Sequence, residues 1–269
     1  MNLEFRLINM EKRDARLIAA MDHAIFEACE AGRSPPTLIY HNWQPAVSIA
    51  KGQTINDINI DECERRGFAV VRMPSGGKAV IHYPNTEFTY SLFVPVNPAQ
   101  RDLRKIYETY CGRIGAALAS FGLPATVVNN NDIFVAEKKI AGNAQRMGRN
   151  ISMQHGLILY ELPDLHTMMR LMNPSLYPDS TVDELKSIMT SFRQHSTAGQ
   201  DELQRVLTSH LLDGFSYRVG SLTNDERQRI EELKPHYANA DDTEGKQVRG
   251  LCWLPAPAYK ETKSAEVHV

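Results

Sequence analysis

Between residues 14 and 31, Leu17, Met21, Ala24, Ile25 and Ala28 recur at helical spacing, and Gly32-Arg33-Ser34-Pro35-Pro36 stops the helix they predict. Short apolar runs at 37–41 and 46–50, joined by a Trp43-Gln44-Pro45 turn, predict two strands. Residues 60–66 read as a short helix, and 68–72 as a strand running into Pro74-Ser75-Gly76-Gly77. Over 86–94, Phe88, Tyr90 and Phe93 are broken by Thr89 and Ser91, the alternation of a half-buried strand. Leu103, Ile106, Tyr107, Tyr110, Ile114, Ala117, Leu118 and Phe121 form one face of a long helix that Gly122 and Pro124 end. Residues 133–135 and 151–162 predict two more strands, with Glu137-Lys138-Lys139 in the turn between them.

After Leu162 the pattern is mainly helical. Thr181-x-x-Glu184 and Thr223-x-x-Glu226 are capping-box patterns ahead of apolar residues at helical spacing. From Pro255 the chain is polar and aperiodic, as a frayed tail is. No internal repeat is present. Strands early and helices late predict an α+β fold, with helices packed on a largely antiparallel or mixed sheet.

Bulk properties narrow the function classes. The chain has 269 residues, 42% hydrophobic and 23% charged, which suits a packed domain rather than a disordered one. Its net charge of −2 lacks the basic excess of a nucleic-acid binder. The charged N-terminus reads as neither signal peptide nor membrane anchor, and no apolar run reaches the roughly 20 residues of a spanning helix. Cys29, Cys63, Cys111 and Cys252 are scattered without a C-x-x-C pair, so reduced thiols in a cytoplasmic protein are expected.

Two segments could carry chemistry. In VVRMPSGGKAVIH (70–82), Gly76 and Gly77 lie between Arg72 and Lys78. Glycine N–H groups can form an anion nest, and the basic residues would add charge beside it. The plainer reading is a hairpin turn. In NNNDIFVAEKKIAGNAQRMGRNISMQHGLILYEL (129–162), a polar Asn-Asp cluster, a Lys-Lys pair and Gly142-Asn143-Ala144-Gln145 occur together. A lysine held among backbone donors can neutralise a phosphate and a neighbouring acyl oxygen. Surface lysines are more often simply solvated, and His82 and His155 each read individually as structural histidines.

Taken in order and spacing, QPAVSIAKGQ, RMPSGGKAVIH, EFTYSL, NDIFVAEKKIAGNAQR and QHGLILYEL resemble lipoate–protein ligase A, of the lipoate/biotin protein ligase superfamily, over residues 38–162 and more loosely to Tyr237. The resemblance implies that family's catalytic fold. The family loop, Arg-Arg-x-x-Gly-Gly-Gly-Ala-Val-x-His, wraps the acyl-adenylate, and here Arg72, Gly76, Gly77, Ala79, Val80 and His82 match it, with Ser75 inside the loop. Met73 replaces the second arginine and Lys78 the third glycine. The family lysine falls on Lys139, ahead of Ile140-Ala141-Gly142, and its nucleotide- and magnesium-associated Asn-Asp pair on Asn131 and Asp132. Gly142 and Gln145 complete the implied site, and Val47, Ile49 and Val80 are candidates for the acyl slot.

The resemblance implies a lipoate–protein ligase that uses ATP and Mg2+ to form lipoyl-AMP. The lipoyl group then passes to a lysine of an acceptor domain of the 2-oxoacid dehydrogenase E2 or glycine-cleavage H protein type. A basic residue after Gly-Gly is typical of the related octanoyltransferases, which need no ATP but carry the acyl group on a cysteine. The two stretches that would hold that cysteine, 129–132 and 186–195, contain none. The ligase is therefore the leading expectation. An ATP-independent octanoyl or lipoyl transferase and a non-catalytic lipoyl-domain binder are the alternatives, and the biotin branch's Gly-Arg-Gly-Arg loop is absent. A catalytic domain over 1–237 leaves 238–269 as a polar tail, too short for a full accessory domain, so a small accessory subunit is an expected partner.

Overall fold

Of the 269 residues, the computed structural model describes 3–175, 181–237, 252 and 253. The chain opens with β1 (Glu4–Arg13), α1 (Ala15–Glu30), β2 (Thr37–Trp43), β3 (Ala46–Ile49), α2 (Ile60–Arg66), β4 (Ala69–Arg72), β5 (Val80–His82) and β6 (Glu87–Pro95). Then follow α3 (Leu103–Ala119), β7 (Ala125–Val128), β8 (Asp132–Val135), β9 (Lys138–Met147) and β10 (Ile151–Leu159). The last part holds α4 (Leu165–Leu171), α5 (Val182–Ile188), α6 (Gln200–Leu211), β11 (Ser216–Val219) and α7 (Asn224–Leu233).

Eight strands form one mixed sheet in the order β11-β1-β2-β6-β10-β9-β8-β7, parallel at β11-β1-β2 and antiparallel elsewhere. A second sheet, β4-β3-β5, stands beside it. The expected α+β class with a mixed, helix-packed sheet is what the chain adopts. The helices form where local chemistry directs. The Asp14 carboxylate accepts from Arg16 N at 2.9 Å to cap α1, and Thr223 and Glu226 make both halves of the expected box ahead of α7. The Thr181 hydroxyl accepts from Glu184 N at 3.1 Å before α5.

Side-chain alternation distributes the core to both faces of the large sheet. Leu38, Tyr40, Tyr90 and Leu92 pack against Tyr110, Ile114 and Leu118 of α3 and Leu203, Leu207 and Leu211 of α6. Ile39, Phe93 and Met153 pack on the other face against Ile18, Met21 and Ile25 of α1 and Ile230 and Leu233 of α7. Central strand β6 is therefore covered on both sides. The half-buried reading of 86–94 fails because Thr89 and Ser91 are buried too, with hydrogen bonds to His41 O and Asp22.

Four strands depart from expectation: β1, β7, β9 and, in the part read as mainly helical, β11. β1 is unpredicted because buried Arg6 interrupts Phe5, Leu7 and Ile8, and the partner that neutralises it, Glu226, lies far along the chain. β7 is also additional. The turn expected at Glu137-Lys138-Lys139 is instead Ala136-Glu137, with φ of 48° and 63°, the left-handed pair of a two-residue hairpin. Lys138 and Lys139 therefore open strand β9, and Lys139 is only 5% exposed rather than solvated. Leu103, placed on the inner face of its helix, is 46% exposed at the first turn. Among the described residues, no helix is long and apolar enough to cross a membrane.

Candidate functional site

The two sheets meet around a cavity of about 340 Å³. Residues 73–79, between β4 and β5, border it. Gly77 sits at φ 103°, and a Cβ there would stand 3.0 Å from Ala144 Cβ, so the loop lies against β9 only because the position is glycine. Gly76 N donates to the Gln145 carbonyl at 3.4 Å and Lys51 N to the Ser75 carbonyl at 2.8 Å, which pin the loop at both sides. Gly76, Gly77 and Lys78 remain exposed.

Lys139 enters the cavity from β9. Its ammonium lies 2.7 Å from Asp132 Oδ1, 2.5 Å from the Cys252 carbonyl and 3.3 Å from Cys252 Sγ, with the Trp253 ring centroid 5.2 Å away. Burial acts to lower its pKa, but Cys252 and Asp132 outweigh that, so the net shift is upward and the lysine stays charged. Its backbone is fixed as well, since Thr190 N donates to the Lys139 carbonyl at 3.0 Å.

The Asn-Asp cluster now resolves into separate parts. Asn129 and Asn130, at φ 51° and 69°, make the turn between β7 and β8. The Asn131 side chain donates to the Asn143 carbonyl at 2.9 Å and the Asn143 side chain returns the bond to the Asn131 carbonyl at 2.8 Å, while Tyr90 OH donates to Asn143 Oδ1 at 2.7 Å. This lock sets Asp132 opposite Gly142, within reach of Lys139. A Cβ on Gly142 would stand 2.5 Å from Cys252 Sγ, so glycine makes the space in which Lys139 and Cys252 meet.

The cavity also contains a polar network. Asp22 of α1 is 1% exposed, with Oδ1 3.0 Å from His41 Nε2 and Oδ2 accepting from Ser91 Oγ at 2.8 Å. His155 Nε2 lies 2.7 Å from Ser75 Oγ, and its Nδ1 lies 3.8 Å from Asp22 Oδ2. Burial is the main cause holding the His155 pKa below its usual value, opposed by Asp22 and aided by His41 and His82. His82 stacks on Trp43 at 3.8 Å and pairs with Ser48 Oγ at 2.9 Å and Glu87 Oε1 at 2.7 Å, so both ring nitrogens are engaged.

Of the residues expected in the site, Ser75, Gly76, Gly77, Lys78, His82, Asn131, Asp132, Lys139 and Gly142 line the cavity. Arg72, Ala79 and Gln145 do not. Arg72 Nη1 donates to the carbonyls of Ala50, Lys51 and Gln53, bracing the strand end. Ala79 is fully buried, and its carbonyl accepts from Cys252 N at 2.9 Å. Gln145 reaches the loop through its carbonyl, while its side-chain amide pairs with that of Gln154 at 2.8 Å. Ile49 and Val80 line the slot with Leu157, whereas Val47 is sealed in the core behind them. Met73, where the loop pattern has an arginine, is 4% exposed and packs into the α1 core.

Sequence reasoning missed Asp22, His41, Ser91 and Cys252 as parts of the site. Each comes from a different element, and no local pattern unites them. Residues 238–251 and 254–269, to which the tail was assigned, lie outside the described residues. No group of three or more His, Cys, Asp or Glu placed to hold a metal occurs among the described residues. Asp132, the expected magnesium ligand, is the partner of Lys139.

Residues 14–212 match the family model described as lipoyl protein ligase A/B catalytic domain. Octanoyltransferase LipM of Clostridioides difficile is 26% identical over 88% of this chain and 97% of its own. Octanoyltransferase LipM of Kyrpidia tusciae is 28% identical over 87% and 96%. Among solved structures, a bipartite lipoate protein ligase studied with its E2 lipoyl domain from Thermoplasma acidophilum superposes with a TM-score of 0.79 at 21% identity, covering 87% of this chain and 92% of that one. A lipoate-protein ligase A bound with ATP gives 0.75 at 21% identity, over 86% and 94%.

Proposed function

From the premise that the chain belongs to the lipoyl protein ligase A/B catalytic domain family, we propose that it is an acyltransferase. It moves an octanoyl or lipoyl group from a thioester donor to the lysine of a lipoyl-acceptor domain without consuming ATP. The observation that carries this reading is the charge balance of the cavity. Its lining holds two lysines, Lys78 and Lys139, against two aspartates, Asp22 and Asp132. A formally neutral cleft suits an uncharged acyl thioester better than a nucleotide triphosphate. Buried Met73 and the Arg72 guanidinium spent on backbone carbonyls point the same way. So do the octanoyltransferase relatives, which align along most of the chain.

In this reading the acyl chain lies against Ile49, Val80 and Leu157, a slot of the apolar kind such chains need. The Lys139 ammonium and the loop N–H of Gly77 bind the thioester oxygen as negative charge builds on it. The attacking amine must lose a proton, and in this reading neutral His155, joined to Ser75, relays it.

A second reading, the ATP- and Mg2+-dependent lipoate ligase, is favoured by the lack of cysteine at 129–132 and 186–195. In that case Asp132 would leave Lys139 to hold the metal, and a small accessory subunit would assist. One experiment separates the readings. The chain is incubated with a lipoyl domain and either octanoyl–acyl carrier protein alone, or lipoate with ATP and magnesium, and acceptor mass is followed. Acylation from the thioester without ATP is expected. Acylation only with ATP would replace this reading with the ligase.

A further inference from the structure

Asp22 lines the cavity from α1 and is almost wholly buried. Its ion-pair partners among the described residues are two histidines, His41 at 3.0 Å and His155 at 3.8 Å, with no lysine or arginine beside it. A buried carboxylate that lacks a fixed cation is costly. An amide of the same shape could hold Ser91 and His41 without a buried charge, so hydrogen bonding alone does not account for an acid at this position.

The two histidines differ. His41 Nε2 meets Asp22 Oδ1, while its Nδ1 is buried with no hydrogen-bond partner among the described residues. A second proton on His41 would have to sit at that unpartnered nitrogen. His155 has a polar atom facing each ring nitrogen, Asp22 Oδ2 at Nδ1 and Ser75 Oγ at Nε2. Burial disfavours its protonated form, Asp22 favours it, and His41 of β2 and His82 of β5 oppose it. The carboxylate therefore keeps the one proton of the neutral ring on Nδ1, and Nε2 is free to accept from the Ser75 hydroxyl.

Strand register puts this chain of groups beside the acyl slot. Ser91, His155 and Ala144 align across β6, β10 and β9, with Asp22 bonded at the Ser91 end and Gly77 packed at the Ala144 end. Two residues along the same strands, Thr89, Leu157 and Gly142 make the next row. Slot and polar chain thus run side by side, about 7 Å apart.

We infer that Asp22 is the positioning residue of the proton relay: it fixes the His155 tautomer and balances the imidazolium that forms when the acceptor amine attacks. The inference rests on the relay assigned to His155 and Ser75 above. As the N–C bond forms, the amine proton passes to Ser75 Oγ while the Ser75 proton moves to His155 Nε2. As the donor's C–S bond breaks, the same path returns a proton to the departing sulfur. The products are the amide and the free donor thiol, and nothing is oxidised or reduced. Asp22 touches neither donor nor acceptor in this scheme. It acts through His155, in the order carboxylate, imidazole, hydroxyl by which a buried acid makes a histidine an effective base. Away from water, 3.8 Å is close enough for carboxylate and imidazolium to attract strongly.

The test uses the full chain and a lipoyl domain, with octanoyl–acyl carrier protein as donor. Asp22→Asn should lower kcat on the order of 100-fold with KM nearly unchanged. The acid limb of its pH–rate profile should move to lower pH, because the carboxylate that favours the imidazolium is gone. A part confined to packing would lower the rate without moving the limb. In the double variant Asp22→Asn with His155→Gln, the loss should be no greater than in His155→Gln alone. A further measurement needs no variant at Asp22. Nitrogen-15 NMR of the histidine-labelled wild type, with His155 assigned by His155→Gln, should show its proton on Nδ1 and none on Nε2 at pH 8. A proton on Nε2, an unmoved limb in folded Asp22→Asn, or additive losses in the double variant would overturn the inference and leave the transferase reading in place. A wild type that acylates only with lipoate, ATP and magnesium would overturn the transferase reading instead, and the same comparisons made with that donor set then decide the role of Asp22.

Discussion

Lys139 Nζ and Asp132 Oδ1 stand 2.7 Å apart, the lysine side chain 7% exposed and the aspartate 21%. The pair is set by backbone geometry close to each residue. The Ala136-Glu137 hairpin turns Lys139 inward, and the Asn131–Asn143 lock fixes the strand that bears Asp132. Lys139→Ala should lower acyl transfer by on the order of 100- to 1,000-fold, the usual cost of one preorganised charge. The fold should survive, because water can reach the abandoned Asp132. Lys138, half-buried and bonded only to the Lys186 carbonyl at 2.8 Å among the contacts described, should tolerate alanine with little change. Acceptor mass over time measures both variants, and equal rates for wild type and Lys139→Ala would refute the role.

How much of this was legible beforehand varies with how local the signal is. Helix α1 could be read because Leu17, Met21 and Ile25 recur within one segment and Asp14 and Gly32 mark its ends. The glycine loop and Lys139 could be read because each belongs to a contiguous motif. Strand β1 could not, since the residue that makes Arg6 acceptable inside the core is Glu226, from the far end of the chain. The position of Lys139 on a strand was hidden by a turn with neither glycine nor asparagine at its left-handed positions. Asp22, His41, Ser91 and Cys252 come from a helix, two strands and a late segment, and only the folded chain assembles them.

Glycine substitutions separate shape from chemistry. Gly142→Ala places a methyl group where Cys252 Sγ and Lys139 sit, at 2.5 Å and 3.4 Å from the new carbon. Transfer should collapse while thermal stability falls little, because the two side chains can swing away. Gly77→Ala adds strain at φ 103° as well as a contact with Ala144. That conformation costs a residue with a side chain about 1–3 kcal/mol, so both stability and activity should drop. Calorimetry beside the transfer assay distinguishes them, and an active Gly142→Ala enzyme would show that the contact of Lys139 with Cys252 is dispensable for transfer.

The ion pair of Arg6 and Glu226 is buried at 6% and 1% side-chain exposure, with a 2.6 Å contact. Ser34 Oγ and Thr223 N also donate to the Glu226 carboxylate. Burial alone would raise its pKa, but these donors and Arg6 outweigh burial, and the net shift is downward. Its contribution to stability is therefore fully present above the unfolded value near 4.5 and is lost as pH falls through the lower folded value. Arg6→Met should cost about 3–5 kcal/mol by leaving a carboxylate buried without its partner. Urea unfolding at pH 7 and at pH 4 should show the variant's deficit shrinking in acid; a deficit that is constant with pH would show that packing, not charge, supplies it.

The pairing of His155 with Ser75 predicts the opposite limb of a pH profile from the one a charged histidine would give. Burial is the leading cause that depresses the His155 pKa below 6.5, so the folded protein resists its protonation. Below pH 6.5 the unfolded chain takes up the proton first, and each unit of acidification then favours unfolding until the folded value is passed. The stability tied to neutral His155 is thus whole above pH 6.5 and declines as pH falls beneath it. Activity should hold through that window and decline only as pH passes the lower folded value, because an imidazolium can no longer accept the proton that the amine sheds. His155→Gln keeps a hydrogen-bonding side chain against Ser75 but cannot titrate. Its unfolding free energy, compared with wild type from pH 8 to pH 5, should show a shallower acid slope, and its transfer rate should be lower and lose this limb. If wild type and His155→Gln share the same slope and the same pH–rate limb, the titrating group lies elsewhere in the cavity.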